Sequence, residues 1–323
     1  MPAAGVEPEC GRTGAGVAPP RSGVLTRQWL AIVNPRSGGK AGRGRMAEIL
    51  HGLRGHTERI VHTRYPGHAA ELAIESRGHE GVVAVGGDGT LFEILQGMDR
   101  REQRLALVPA GRGNSLARDL GLLSGGLLNG GLLTAMHWEQ SHRIDLMEAT
   151  VTAASGAVST HLSASTVGLG YPAQVTLMAR RLARLGKMSY AVAGMATVPV
   201  RFDARVQLDE EPVRAVRLSG FVANNTRHVA NFVAFRGGSY SDGVFDVMEM
   251  DAGVVKQCLH NVSALSATGV YEPYPRRQAS RARLWLDAPQ GLMLDGEMFP
   301  DSVALDVRIL PAALECNGPK ARP

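Results

Sequence analysis

Residues 81–98 read GVVAVGGDGTLFEILQGM, and this stretch decides the fold. Gly81–Val85 is an apolar run of strand length, the glycines around Asp88 break it, and a helix is predicted from Thr90 to Met98. Moving outward, the same strand–glycine–helix order recurs on both sides. Trp29–Val33 reads as a buried strand, and Ala41–Leu53 carries Met46, Ile49, Leu50 and Leu53 at helical spacing. Arg59–His62 with a helix over His68–Ser76, and Leu105–Val108 with a helix over Asn114–Leu120, complete the series. Strands alternating with helices predict βαβ units and a parallel sheet. Beyond Asp145 the texture changes to short alternating segments: Ala149–Thr152, His161–Thr166, Ala204–Leu208, Arg217–Ala223, Phe232–Phe235, Val244–Met250, Arg281–Asp287, Gly291–Leu294 and Val303–Leu310. Helical stretches at Ala173–Gly186 and Val254–Leu265 interrupt them. Turn-bounded strands of this kind predict an antiparallel β-sandwich. The expected organisation is a disordered Gly/Ala/Pro-rich tail over 1–27, an α/β domain over 28–146 and a sandwich domain over 147–307.

Composition narrows the function classes. The chain has 323 residues with 44% hydrophobic and 20% charged, which excludes wholesale disorder. Cys10, Cys258 and Cys316 lie too far apart for a disulfide scaffold or a CxxC metal knuckle. No signal-peptide core or apolar span of about 20 residues stands out, so a soluble, cytoplasmic chain is expected. The net charge of +5 favours anionic partners such as phosphates or a membrane surface. Basic residues interleaved with stacking aromatics are missing, so nucleic acid is not expected as a partner.

Three glycine-rich loops follow first-domain strands, at the strand ends where open α/β sheets bind ligands. They are Asn34-Pro35-Arg36-Ser37-Gly38-Gly39-Lys40, Gly86-Gly87-Asp88-Gly89-Thr90 and Pro109-Ala110-Gly111-Arg112-Gly113-Asn114. Glycines let backbone N–H groups approach phosphate oxygens, and the helix that follows adds its positive end. Asn34, Ser37 and Thr90 add side-chain groups for phosphate or ribose, and Asp88 can orient a magnesium-bound phosphate or accept a proton. Neither GxxxxGK[ST] nor GxGxxG fits, which excludes a Walker nucleotidase and a Rossmann dehydrogenase. Two acidic clusters lie in the second half. Ser239-Tyr240-Ser241-Asp242-Gly243-Val244 puts a carboxylate in a turn, where neighbouring carbonyls could complete an oxygen-rich Mg²⁺ site, although Asp-Gly alone is usually only a turn. Asp295 and Glu297 in LDGE stand two apart, so an extended backbone would point both to one side, as suits a base and its supporting acid.

Together, NPRSGGK at 34–40, GGDGTLFEILQG at 86–97, PAGRGNSLARDLG at 109–121, RIDLME at 143–148, SYSDGVFDV at 239–247 and LDGE at 294–297 resemble the diacylglycerol kinase catalytic family, which includes bacterial diacylglycerol kinases and sphingosine kinases. The resemblance runs from Trp29 to Leu310. It implies a lipid kinase of α/β-plus-β-sandwich fold that uses ATP and Mg²⁺ on a lipid substrate at the membrane surface, with a homodimer left open. It implies a final strand, about 308–316, that returns to the first domain. ATP would be held by Asn34, Pro35, Arg36, Ser37 and Gly38, by Thr63, by Gly86, Gly87, Asp88, Gly89, Thr90, Leu91 and Glu93, and by Gly111, Arg112 and Asn114. Asp295 would be the proton acceptor with Glu297 in support, and Asp88 the alternative base, as in sphingosine kinases. Ser239, Asp242 and Val244 would hold a structural magnesium, with Asp145 in the charged network around it. The loop at 109–121 departs from the family at Arg112, usually Thr, and Ser115, usually Asp. The competing readings are an impaired nucleotide- or lipid-binding regulator of the same fold and an NAD kinase-like enzyme. Arg180, Arg181, Arg184 and Lys187, beside Leu177, Met178, Leu182 and Leu185, form a basic amphipathic face that suits a membrane surface or simply solvent.

Overall fold

The structure is a computed structural model that describes residues 29–111, 113–123, 140–229, 233–234, 238–251, 253, 257, 260 and 274–318. The expected tail over 1–27, Arg112 and nearly all of the expected helix at 254–265 lie outside the described residues.

The first half is built as its apolar pattern predicts. Strands β1 (Trp29–Val33), β2 (Arg59–His62), β3 (Gly81–Gly86) and β4 (Arg104–Pro109) pair in parallel in the order β4-β3-β1-β2. β1 and β3 are buried along their whole length, as strands covered on both faces must be. Leu30 and Ile32 pack with helices α2 (His68–Glu75), α3 (Asp88–Gly97) and α4 (Ser115–Asp119). The alternate residues Trp29, Ala31 and Val33 pack with Met46, Ile49 and Leu53 of α1 (Gly39–Leu53) on the other face. Strand order turns back between β1 and β3, so the loops at 34–38 and 86–90 flank a topological switch point, where such sheets hold ligands. Helix α3 starts at Asp88, two residues ahead of the predicted start, which places Asp88 and Gly89 in its first turn.

The second half is antiparallel. Its strands are β5 (Ser141–Ala153), β6 (Val158–Ser163), β7 (Thr166–Gly170), β8 (Phe202–Leu208), β9 (Arg214–Leu218), β10 (Gly220–Asn224), β11 (His228–Val229), β12 (Val233–Ala234), β13 (Phe245–Met250), β14 (Arg276–Ala279), β15 (Arg281–Leu294) and β16 (Glu297–Asn317). β8 alternates buried and exposed residues, as a strand with one solvated face does. β15 pairs with β8 through Ala282–Leu286 and then crosses to pair with β7 through Leu292–Leu294. These strands enclose a core that includes Phe202, Phe221, Phe245 and Leu284. The expected helix at Ala173–Gly186 is divided. α5 (Tyr171–Arg181) gives way to a 3₁₀ segment over Ala183–Met188, in which Gly186 takes φ 60°, and α6 (Ser189–Ala196) follows.

β5 runs uninterrupted through residue 146 and pairs with β16 from Ser302 to Asn317. β16 then adds to the parallel sheet, Cys316 pairing with Leu105 of β4, so one sheet passes through both halves. The β5–β16 ladder slips between Leu310 and Leu314, where Ala312 takes φ 48°. Buried Asp145 fixes this bulge. Its Oδ1 accepts the Ala312 N–H at 2.7 Å and its Oδ2 the Gly243 N–H at 2.7 Å. Its own N–H donates to the Tyr240 carbonyl, and its carbonyl accepts from Asn225 Nδ2. Asp145→Ala leaves two backbone donors without their acceptor and should destabilise the fold by about 2–3 kcal/mol. Denaturant melts of the variant and wild type measure this, and a difference under about 0.5 kcal/mol would remove Asp145 as the clamp of the bulge.

Candidate active site

The three glycine loops meet through specific polar contacts. Asn34 Nδ2 donates to Thr90 Oγ1 at 2.9 Å, while Asn34 Oδ1 accepts the Arg36 N–H at 3.0 Å. The first loop is thereby tied to the second, leaving Pro35 and Arg36 exposed and Gly38 in a left-handed turn ahead of α1. The Gly86 carbonyl accepts N–H groups from Ala110 at 2.7 Å and Gly111 at 3.1 Å, which ties the second loop to the third. Gly87 and Gly111 touch backbone to backbone: a Cβ built on Gly111 would lie 2.4 Å from Gly87 Cα. Their glycine character is therefore required by the contact between the loops, in addition to any approach by phosphate. Asn114, at φ 55°, closes the third loop on itself with two side-chain hydrogen bonds to Gly111.

Asp88 sits at this junction. Its Oδ2 accepts the Asn114 N–H and its Oδ1 the Ser115 N–H, both at 2.8 Å, so it caps α4 with a forked carboxylate. A Cβ on Gly113 would meet Oδ2 at 2.5 Å, which explains that glycine. Burial raises the Asp88 pKa to about 6 against the pull of these donors, and the nearby Asp295 adds to the rise. Thr90 and Leu91 are buried behind it.

LDGE is not extended, and this corrects the sequence expectation that Asp295 and Glu297 project to one side. Leu294 pairs with Glu297, and Asp295 (φ 48°) with Gly296 (φ 85°) makes the two-residue hairpin turn joining β15 to β16. Positive φ at both central positions is what Asp-Gly between apolar strands favours. The two acids accordingly diverge. Asp295 is buried on the segment joining β6 to β7. Its Oδ1 accepts Ser163 Oγ–H, Ser165 N–H and Thr166 N–H, and its Oδ2 accepts Ala164 N–H, all at 2.8–2.9 Å. Burial raises its pKa while those four donors oppose the rise. Glu297 turns the other way. Its Oε1 lies 2.5 Å from where a Gly89 Cβ would stand, and its Oε2 accepts Arg180 Nη2 at 2.6 Å. Arg180, exposed like Arg181 and Arg184, is thus turned onto the DGE turn, also donating to the Gly296 carbonyl at 2.6 Å.

Other expected site residues are dispersed. Glu93 accepts N–H groups from Gly67 at 2.9 Å and Ala69 at 3.1 Å and caps α2. Thr63 follows β2, its N–H on the Val33 carbonyl beside the first loop. Ser239, Asp242 and Val244 share one turn, in which Asp242 Oδ1 accepts the Val244 N–H at 3.3 Å. Partial burial raises the Asp242 pKa, Asp145 adds to the rise and Arg276 opposes it. Arg276 Nε also meets buried Asp246 at 2.6 Å. Three contributors carry no motif signal: Arg180, the Ser163–Thr166 segment and Tyr190. The Tyr190 phenol is raised by burial, bonds Thr176 and feels Asp88, Arg180 and Glu297 together.

Residues 28–149 match the family model described as the diacylglycerol kinase catalytic domain. Sphingosine kinase B of Dictyostelium discoideum is 33% identical over 114 residues, which are 32% of this chain and 15% of that protein. Diacylglycerol kinase of Bacillus subtilis (strain 168) is 23% identical over 287 residues, covering 82% of this chain and 88% of that protein. A crystal structure of a diacylglycerol kinase from Bacillus anthracis str. Sterne superimposes with a TM-score of 0.71 at 19% identity, over 91% of this chain and 97% of that one. The resemblance to this family and the fold class it implies are borne out: a mixed sheet, parallel in its first half and antiparallel in its second. The chain spans 15% of the length of the Dictyostelium relative.

Gly111→Ala forces the second and third loops apart and should destabilise the chain by about 1–3 kcal/mol. Gly55→Ala, where a Cβ meets its nearest neighbour at an ordinary 3.5 Å, is the matched control. Melting curves on both variants check this. Equal behaviour of the two would mean the loops are not in contact.

Proposed function

We propose, from the diacylglycerol kinase catalytic domain matched over residues 28–149 and the acids gathered at its glycine loops, that this chain is an ATP-dependent lipid kinase. It transfers the γ-phosphoryl of ATP to the hydroxyl of a diacylglycerol or sphingoid-type lipid. ATP lies along the loops at 34–38, 86–90 and 109–114, where the switch point, the glycines and the starts of α1 and α3 favour polyphosphate. Arg112, outside the described residues, belongs to the third of these loops.

One observation carries the reading: Asp88 keeps a lone pair on each oxygen, and its pKa of about 6 suits a general base near neutral pH. Asp88 takes the proton of the lipid hydroxyl as the oxygen bonds to the γ-phosphorus and the bridging oxygen leaves with ADP. Asp295, with four donors on its carboxylate, serves as the anchor that holds the DGE turn against residues 163–166.

Mg²⁺ fits the Ser239–Val244 turn in one way only. Among the described residues no group of three or more His, Cys, Asp or Glu could hold a metal. A magnesium there would take the Asp242 carboxylate, the main-chain oxygens of Ser239 and Val244, and water. Asp145, whose oxygens hold Ala312 and Gly243, would contribute fixed negative charge. A bound ion would neutralise that charge and rigidify the turn. Substrate is reached at a membrane surface. No helix among the described residues is long and apolar enough to cross one. Leu177, Leu185, Met188, Met195, Val198 and Val200 are exposed close along the chain to Arg181 and Arg184, which suits peripheral association.

The test is a labelled-phosphate assay over diacylglycerol, sphingoid bases, ceramide and polyprenols in mixed vesicles. Because the raised carboxyl must be ionised to act, turnover should fall as pH drops through about 6. Asp88→Asn should lower turnover about 10²–10⁴-fold and abolish that acid limb, with ATP affinity retained. Asp295→Asn should lower the melting temperature as well, because its amide opposes a backbone donor. An Asp88→Asn variant that retains a tenth of wild-type turnover would transfer the base role to Asp295, and no phosphorylated product from any lipid would sink the kinase reading.

A further inference from the structure

We propose that Arg180 is a positioning residue of the phosphoryl-transfer site, acting through Glu297 on Asp88. The proposal rests on the reading of Asp88 as the base. Its basis is the arrangement of charge around one turn. Arg180 stands in the last turn of α5 and reaches Glu297 and Gly296 with a single nitrogen, Nη2. Its Nη1 and Nε make no hydrogen bond among the described residues, so the guanidinium is only partly committed. Glu297 in turn lies against Gly89, the neighbour of Asp88 in the first turn of α3. Tyr190, on the adjoining α6, feels the charges of Asp88, Arg180 and Glu297. A residue of the antiparallel half therefore sets a cation beside the acids of the glycine loops.

Asp295 is the charge that acts on Asp88 directly, while Glu297 stands against the neighbouring Gly89 with Arg180 bonded to it. Asp295 lies on the hairpin and Glu297 just after it; both are negative. Arg180 is positive, Tyr190 is neutral, and Gly113, Asn114 and Ser115 offer uncharged backbone. Without Arg180, Glu297 would stand unpaired against Gly89, next to Asp88, and a polyanionic nucleotide would approach an added negative charge there. With it, the Glu297–Arg180 pair is neutral, and Glu297 is held where it buttresses Gly89. Guanidinium suits the task because its planar fork engages a carboxylate and a carbonyl from one nitrogen and keeps donors free.

The sign of the effect separates this role from a purely structural one. Carbon-13 NMR of the aspartate carboxyls in the full-length chain, with the Asp88 resonance assigned by its loss in Asp88→Asn, reads the Asp88 titration without any need for turnover. Arg180→Met leaves Glu297 unpaired and should raise the Asp88 pKa by about half a pH unit or more. Glu297→Gln should lower it by a similar amount, Arg180→Lys should leave it near the wild-type value, and Arg180→Met/Glu297→Gln should return it there. A loosened fold cannot produce shifts of opposite sign that cancel in the double variant. Should Arg180→Met fail to fold, Glu297→Gln and Arg180→Lys carry the same sign test. Shifts below about 0.2 unit, or of the same sign in the Met and Gln variants, would overturn the assignment. Turnover of diacylglycerol vesicles is measured separately: an inactive wild type refutes the kinase reading, while the titration still decides Arg180.

Discussion

Two N–H groups on one carboxylate hold the centre of this molecule. Asp88 opens α3 and, through Asn114 and Ser115, caps α4, so a single side chain joins the ends of β3 and β4 above the sheet. Much of the local sequence follows from that contact. Gly113 must lack a side chain because Asp88 Oδ2 occupies the space, and Asn114 must accept a left-handed backbone to present its N–H. Gly87 and Gly111 must be bare for the two loops to come close enough. The glycines of such loops are usually credited to phosphate, yet here Gly87, Gly111 and Gly113 are required by contacts within the chain itself.

Asp88 and Asp295 have the same chemistry and nearly the same depth, and differ in what they are bonded to. Burial disfavours the charged form of both. Asp295 is compensated by four donors, three of them backbone N–H groups from consecutive residues, which form a nest around it. A carboxylate so committed stabilises a turn well and accepts a further proton poorly. Asp88 has half as many donors and feels Asp295 as a like charge. Number of donors, more than burial, distinguishes the two acids.

How much of this was legible depends on range. The four parallel strands and their helices could be read from apolar runs and glycine breaks, because each is decided within about fifteen residues. The three loops were legible for the same reason. The hairpin at LDGE carried its signal openly: Asp-Gly between two apolar strands is a turn, and the two-residue spacing of the acids argues nothing once the backbone reverses there. Arg180 was not legible. Its partner lies 117 residues away, and on helical spacing alone it belongs with Arg181 and Arg184 on an exposed face. The continuity of β5 through residue 146 was equally hidden, since composition changes there while backbone pairing does not.

That continuity bears on how the site is held together. β16 begins at Glu297, beside the glycine loops, and near its other end Cys316 pairs with β4 of the parallel sheet. Between those points it is laddered to β5 from Ser302 to Asn317, with slips at Ser302–Ala304 and at Leu310–Leu314. A hinge between the halves would have to break this ladder, whose cooperative hydrogen bonds resist that except where the register slips. At the Leu310–Leu314 slip the ladder is interrupted, and Asp145 supplies the replacement contact by holding the Ala312 N–H. The same carboxylate holds Gly243, next to Asp242 in the acidic turn. Asp145 therefore links the second slip of the long strand pair to the turn at Asp242. The DGE turn is thus joined to the parallel sheet through a single strand, β16, while the first loop stays exposed around Pro35 and Arg36.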